Sequence, residues 1–297
     1  PADSLPGTGP RGVPPARETP AAIAWRGLRR QKPALVSLGV VSLIGLACLV
    51  APLLAPYQAD AIDLANLRQP PSLGHPMGTD DLGRDVLSRM LFGGRISIVI
   101  GLLAAVLGTG LGGLIGAAAA YYGGWLDNLL MRLTDVAYAI PTLPLLIILS
   151  AYAGATVAPM VLIIGFLSWM ATARVVRSEV LSVREMAYIE AATSLGARSG
   201  RMIRRHIRPN AVGPRIVGAT LGVGNAIMVE SALSFLGLGV QPPTPTWGNM
   251  LMDSQATMAS KPWLTIFPGV AILIVVLAFN FIGDALNDAL DPKARPQ

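Results

Sequence analysis

Five stretches of this sequence carry no charged side chain: Pro33 to Ala59, Ile96 to Leu126, Val136 to Ala173, Ile216 to Val229 and Pro262 to Gly283. A helix that crosses the hydrocarbon layer of a bilayer needs about 20 apolar residues, and these runs are of that order. The rest of the chain agrees: of 297 residues, 53% are hydrophobic and 13% charged, with a mean hydropathy of +0.56. That balance is too apolar for a water-soluble domain of this size. The expected fold class is all-α, a polytopic membrane protein.

Six transmembrane helices fit the runs best, near residues 33–54, 96–122, 131–152, 157–174, 212–235 and 263–284. The long third run, Val136 to Ala173, is divided at Gly154–Pro159, where glycine and proline mark a turn. On this division residues 1–32 form a disordered tail, because residues 1–22 are rich in Pro, Gly, Ala and Arg without apolar periodicity. Residues 55–95 and 237–262 connect spans on one side. The core of five helices runs over 96–284, interrupted on the other side by residues 174–211, and 285–297 form a second tail. A cleaved signal peptide is not expected, since the first apolar run is long enough to span.

The third helix is expected to open with Arg132 and Asp135 in its first turn, where an acid suits the helix N-terminus. Gly108, Gly112, Gly116, Pro141 and Pro144 fall inside spans and read as packing and kink residues. Cytoplasmic loops carry an excess of lysine and arginine. With the N-terminus inside, eighteen of the 23 basic residues are cytoplasmic, and Arg68, Arg84, Arg89, Arg95 and Lys261 remain outside. Both termini and the arginine-rich segment 174–211 are thus expected in the cytoplasm. The net charge of +6 follows from this topology. No nucleic-acid-binding motif accompanies it.

Chemistry is excluded more readily than supported. Cys48 is the single cysteine, so neither a disulfide nor a cysteine metal site is available. His75 and His206 fall on opposite sides of the membrane, which leaves no paired-histidine metal site and no Ser-His dyad within a span. None of Lys32, Lys261 and Lys293 lies in a phosphate-cradling glycine loop. No catalytic residue, metal or cofactor is expected in this chain. Glu230, late in the fifth helix, is the one clear intramembrane acid and a functional candidate by type. It is expected near the outer interface, hydrated or bonded to the backbone of Ser231–Gly239. With Asn225 and Asn280 it makes the set of polar groups first suspected of lining a path.

Thr79, Asp80 and Asp81 can start a short helix on the outer side by capping and dipole complementarity. In the basic segment, Ser182 and Glu185 have capping-box spacing, so a helix is expected to begin there and to end at Gly196. A second helix carries Arg201, Arg204 and Arg205 beside Met202, Ile203 and Ile207, and Pro209 stops it.

Here the chain resembles the inner-membrane subunits of ABC importers, whose cytoplasmic loop carries Glu-Ala-Ala, then glycine, then a closing proline; Glu190, Ala191, Ala192, Gly196 and Pro209 match at that spacing. Arg208 and His206 stand where the pattern has leucine and isoleucine. Gly78–Arg89 (GTDDLGRDVLSR), Gly123–Asp127 (GGWLD), Leu233–Gly239 with the following Gln241-Pro-Pro, and Gly283–Pro292 narrow the resemblance to the C-type subunit of the dipeptide/oligopeptide/nickel permease group. That resemblance implies a type I importer permease fold with cytoplasmic docking helices. It implies a non-catalytic pore subunit that pairs with a second permease, and two ATPase subunits that hold ATP and Mg²⁺ and dock on Glu190, Ala191, Ala192, Gly196, Arg201, Arg204, Arg205 and Pro209. An extracytoplasmic substrate-binding protein would meet the outer segment at Thr79, Asp80, Asp81, Arg84 and Asp85. Two rivals stand against it. An ion-coupled carrier working alone would need more membrane acids than Glu230, and a membrane enzyme would need a polar cluster that the histidines do not supply.

Overall fold

The computed structural model of this chain describes residues 20–154, 156–184 and 212–290. Regular structure among them is helical throughout: α1 (Pro20–Arg30), α2 (Lys32–Leu49), α3 (Ala51–Leu54), α4 (Val86–Tyr122), α5 (Gly124–Ala139), α6 (Thr142–Ala153), α7 (Val157–Leu167), α8 (Trp169–Arg184), α9 (Val212–Phe235), α10 (Trp247–Ser254) and α11 (Trp263–Leu290). An isolated antiparallel bridge joins Thr79 to Asp85. Four helices, α2, α4, α9 and α11, are individually long and apolar enough to cross a membrane. The pairs α5–α6, bent by 83°, and α7–α8, bent by 41°, pass the same test when joined, which gives up to six spans.

The centre of the bundle forms where apolar faces of distant helices meet: Ile100 and Ala104 of α4, Leu146 of α6, Met160 and Ile164 of α7, and Ala226 and Leu233 of α9. Outward faces stay apolar too. Leu43, Leu114, Trp125 and Tyr152 are at least 70% exposed in the single chain, a surface suited to lipid or to another membrane subunit. The α4 glycines act as the sequence suggests. A Cβ on Gly112 would lie 2.3 Å from the Trp169 carbonyl oxygen, and one on Gly116 would lie 2.2 Å from that of Ala173. Only glycine lets α4 and α8 approach so closely.

Several boundaries differ from expectation. Residues 20–30 are not tail but α1, whose Leu28 packs with Ala285 and Leu286 of α11; Gln31 also donates to Asp288 (3.0 Å). Pro52 interrupts the first span, which divides at Val50 into α2 and α3. The helix expected from residue 96 begins at Val86, because Arg89 and its neighbours find partners inside the protein. The third begins at Gly124 rather than 131, after Gly123 turns the chain at φ 63°. Asp127, not Asp135, therefore occupies its first turn. The division at Gly154–Pro159 appears where expected: α6 ends at Ala153, Gly154 takes φ 89° and α7 starts at Val157. Beyond it the chain stays helical past residue 174 to Arg184, because Val176, Val180 and Val183 pack on Ala120 of α4. Ser182 thus lies inside α8 and does not cap a new helix; Glu185 lies outside the described residues. The outer stretch 237–262 contains α10, opened by a capping box in which Thr246 and Asn249 bond each other's backbone N–H. The last helix runs on to Leu290.

Candidate functional site

The end of the bundle where α4 starts is organised around Asp80. One of its carboxylate oxygens accepts from the backbone N–H of Leu82 and of Arg84 (2.9 Å each). The other accepts from Arg84 Nε (2.7 Å) and from Arg89 Nη1. Arg89 Nη2 continues to Asp253 at 3.1 Å, and Arg84 Nη2 lies 3.6 Å from the same carboxylate. Asp80, Arg84 and Arg89 are all buried. Two arginines shared between two aspartates neutralise one another, which is how charge is carried at this depth.

Asp85 caps α4 by accepting from the Ser88 N–H and hydroxyl (2.8 Å each), and its other oxygen lies 3.0 Å from Nδ1 of His75, itself stacked on Tyr57. Thr79 donates to the Asn66 carbonyl and accepts from the Gln69 N–H. The expected short helix at Thr79–Asp81 is absent: Asp80 instead closes a turn through Gly83 (φ 75°), and the helix waits for Asp85. Of the five residues expected to meet a binding protein, Thr79, Asp80, Arg84 and Asp85 are buried against this chain. Asp81 is partly exposed and pairs with Arg68 at 2.6 Å.

Glu230 is enclosed rather than hydrated. It is 0% exposed and accepts from Ser97 of α4 (3.1 Å) and Ser234 (2.8 Å), with Ser231 at 3.5 Å. Ser97 also accepts the N–H of Trp247 (3.2 Å), and the Trp247 indole donates to the Met90 carbonyl (3.0 Å). Hydroxyl groups of α4 and of its own helix, not the backbone that follows, satisfy this carboxylate, and Ser97 with Trp247 ties α4, α9 and α10 together. Asn225 and Asn280 lie on exposed faces of α9 and α11, so the structure does not bring the three suspected path residues into one site.

Glu190, Ala191, Ala192, Gly196, Arg201, Arg204, Arg205 and Pro209 all fall in residues 185–211, outside the described residues, as does His206. The flanks of that segment are described, and both are fastened to α4. Arg184 donates to the Ala120 carbonyl and Arg215 to that of Gly113 (2.9 Å for the latter). Arg177 of α8 grips Asp127 of α5 with two bonds of 2.6 Å, and Arg174 reaches Asp135 at 2.7 Å. No group of three potential metal ligands occurs among the described residues. The arrangement offers positioning rather than reaction chemistry.

The sequence profile of a family described as binding-protein-dependent transport system inner membrane component matches residues 108–296. The chain belongs to that family. A second profile, the N-terminal TM domain of oligopeptide transport permease C, matches residues 19–71 and so covers α1 to α3 of this permease. The permease is 41% identical over 290 residues to the dipeptide transport system permease protein DppC of Alkalihalophilus pseudofirmus, covering 96% of this chain and 95% of that one. It is 42% identical over 278 residues to the glutathione transport system permease protein GsiD of Escherichia coli, covering 93% and 92%. It is a C-type ABC importer permease, a multi-pass inner-membrane pore subunit with the type I fold. Sequence reasoning missed the arginines of α8 as a set, although the Gly-Gly-Trp-Leu-Asp motif ending at Asp127 was visible. It also missed Asp253 and Ser97, whose partners Arg89 and Glu230 are 164 and 133 residues away along the chain.

Proposed function

We propose that this permease is one half of a heterodimeric pore that imports short peptides, with ATP and Mg²⁺ held by two ATPase subunits that dock on residues 185–211. The observation that carries the substrate class is identity above 40% across more than nine-tenths of the chain to dipeptide and glutathione permeases. No cofactor belongs to the chain itself. The charge bias puts both termini and the docking segment in the cytoplasm and the Asp80–Arg89 network outside. There the buried network makes a firm platform on which a substrate-binding protein delivers peptide, with Asp81 and Arg68 at its surface. Closure of the ATPase dimer draws the docking segments together and switches the pore between inward and outward access.

The test is purification of the tagged chain from native membranes in mild detergent, followed by identification of its companions and an ATPase assay. Recovery of a second permease and P-loop ATPase subunits, with peptide-stimulated hydrolysis lost in Glu190→Arg and Gly196→Pro, is the expected result. A lone chain that drives uptake under an ion gradient overturns the reading in favour of a secondary transporter.

A further inference from the structure

We propose that α8 grips α5 through a two-rung arginine–aspartate clamp, Arg177–Asp127 and Arg174–Asp135, that carries motion of the docking segment into the bent α5–α6 span. The proposal deepens the docking reading of residues 185–211 and rests on it.

The outer rung is weak by itself; the inner one is a fork. Arg177 Nε and Nη2 each donate to a separate oxygen of Asp127 at 2.6 Å, a planar two-point contact that fixes orientation as well as distance. Arg174 Nη2 donates to Asp135 at 2.7 Å while its guanidinium lies over the Tyr138 ring, 4.4 Å from the centroid. The rungs stand three residues apart on α8 and eight apart on α5. Two separated points define a crossing angle, so α5 cannot pivot on α8 without breaking one of them.

The attachment matters because α5, which otherwise packs on α4, buries little of itself. Thr134 is its one buried residue, and Trp125, Leu129, Leu133 and Val136 point outward, 46% to 76% exposed. Helix α8, by contrast, is locked on α4 through Gly112 and Gly116 and through Val176, Val180 and Val183 around Ala120. Its last residue, Arg184, adjoins the docking segment and also bonds the C-terminal carbonyls of α4. At its far end α5 meets Ile140 and Pro141, both extended (ψ 125° and 115°), where the span turns by 83°. Pro141 brings no backbone N–H to that joint, so the ladder of helical bonds is already interrupted there. A push on α8 therefore swings α5 as a strut, and the Ile140–Pro141 joint absorbs the angle.

Asp127 also occupies the first turn of α5, where its negative charge suits the helix N-terminus; Arg177→Lys leaves that local role intact and removes only the fork. This separates the two roles. The experiment reconstitutes the complete importer in liposomes and measures tripeptide taken up per ATP hydrolysed, with the amount of ATPase subunit retained by each variant. Asp127→Asn and Arg177→Lys are expected to keep the ATPase subunits and to lower the peptide-per-ATP ratio about fivefold or more, the smallest effect typical of a lost coupling contact. The exchange Asp127→Arg with Arg177→Asp is expected to recover the ratio where either half alone does not. An unchanged ratio in both conservative variants overturns the clamp, as does a loss of assembly that the exchange fails to repair. If the unsubstituted chain retains no ATPase subunits, the docking reading falls first and the clamp with it.

Discussion

The two ends of this permease handle arginine in opposite ways. Around the start of α4, Arg84 and Arg89 are sunk among Asp80 and Asp253, with Arg89 2% exposed. On the other side Arg174 and Arg177 remain 48% and 33% exposed while they hold Asp135 and Asp127. Removing one member of a buried set strands an uncompensated charge, whereas an exposed pair is screened and adds little. The same residue types thus build a fixed cap at one end and an exposed link between two helices at the other. A pore that opens and closes needs both: a part that does not give, and a part that passes movement on.

The largest effect is expected at Arg89. Arg89→Ala leaves Asp80 and Asp253 short of a partner and costs about 3–5 kcal/mol, the range for a broken buried ion set; thermal unfolding in detergent micelles measures it. If Arg89→Ala and Arg174→Ala lower the melting temperature equally, the fixed-cap reading fails. Next comes Glu230→Ala, which strands the hydroxyls of Ser97 and Ser234 and costs about 2–3 kcal/mol, the range for hydrogen bonds to a charged group. Glu230→Gln keeps one acceptor and is expected to lose less, so an order of stability with Gln below Ala would refute this account of the knot. Gly112→Ala drives a Cβ toward the Trp169 carbonyl and is expected to cost about 1–3 kcal/mol by overpacking. Its effect on transport should exceed that of Gly110→Ala, whose Cβ would meet nothing within 4 Å. The smallest change belongs to Arg68→Ala. Its partner Asp81 is solvent-accessible, so the melting temperature should not move, although binding-protein-stimulated ATP hydrolysis falls if this pair faces the binding protein.

The apolar runs made the spans legible because a bilayer imposes its thickness directly on sequence, and a glycine every fourth residue announced the close packing of α4. Boundaries were misread wherever a charge belongs to a helix. Arg89 reads as loop until Asp253, 164 residues later, is seen beside it; Arg177 reads as the end of a span until Asp127 is. Such pairs are long-range, and no local pattern carries them. Glu230 was noticed for its type, yet its serine partner Ser97 sits on another helix, so its surroundings could not be foreseen. Helix α1 was hidden at the end of a Pro- and Gly-rich stretch, and α10 by the prolines that precede it. The residues expected to dock the ATPase subunits lie outside the described residues.

Arg184 and Arg215 close residues 185–211 onto carbonyls of Ala120 and Gly113, seven residues apart on one helix, about 10 Å along its axis. Both doorposts of that insertion thus stand on a single beam. The two ends therefore travel with α4 as a pair: whatever tilts or lifts that helix carries both together, and neither end can be drawn away without breaking an arginine–carbonyl bond.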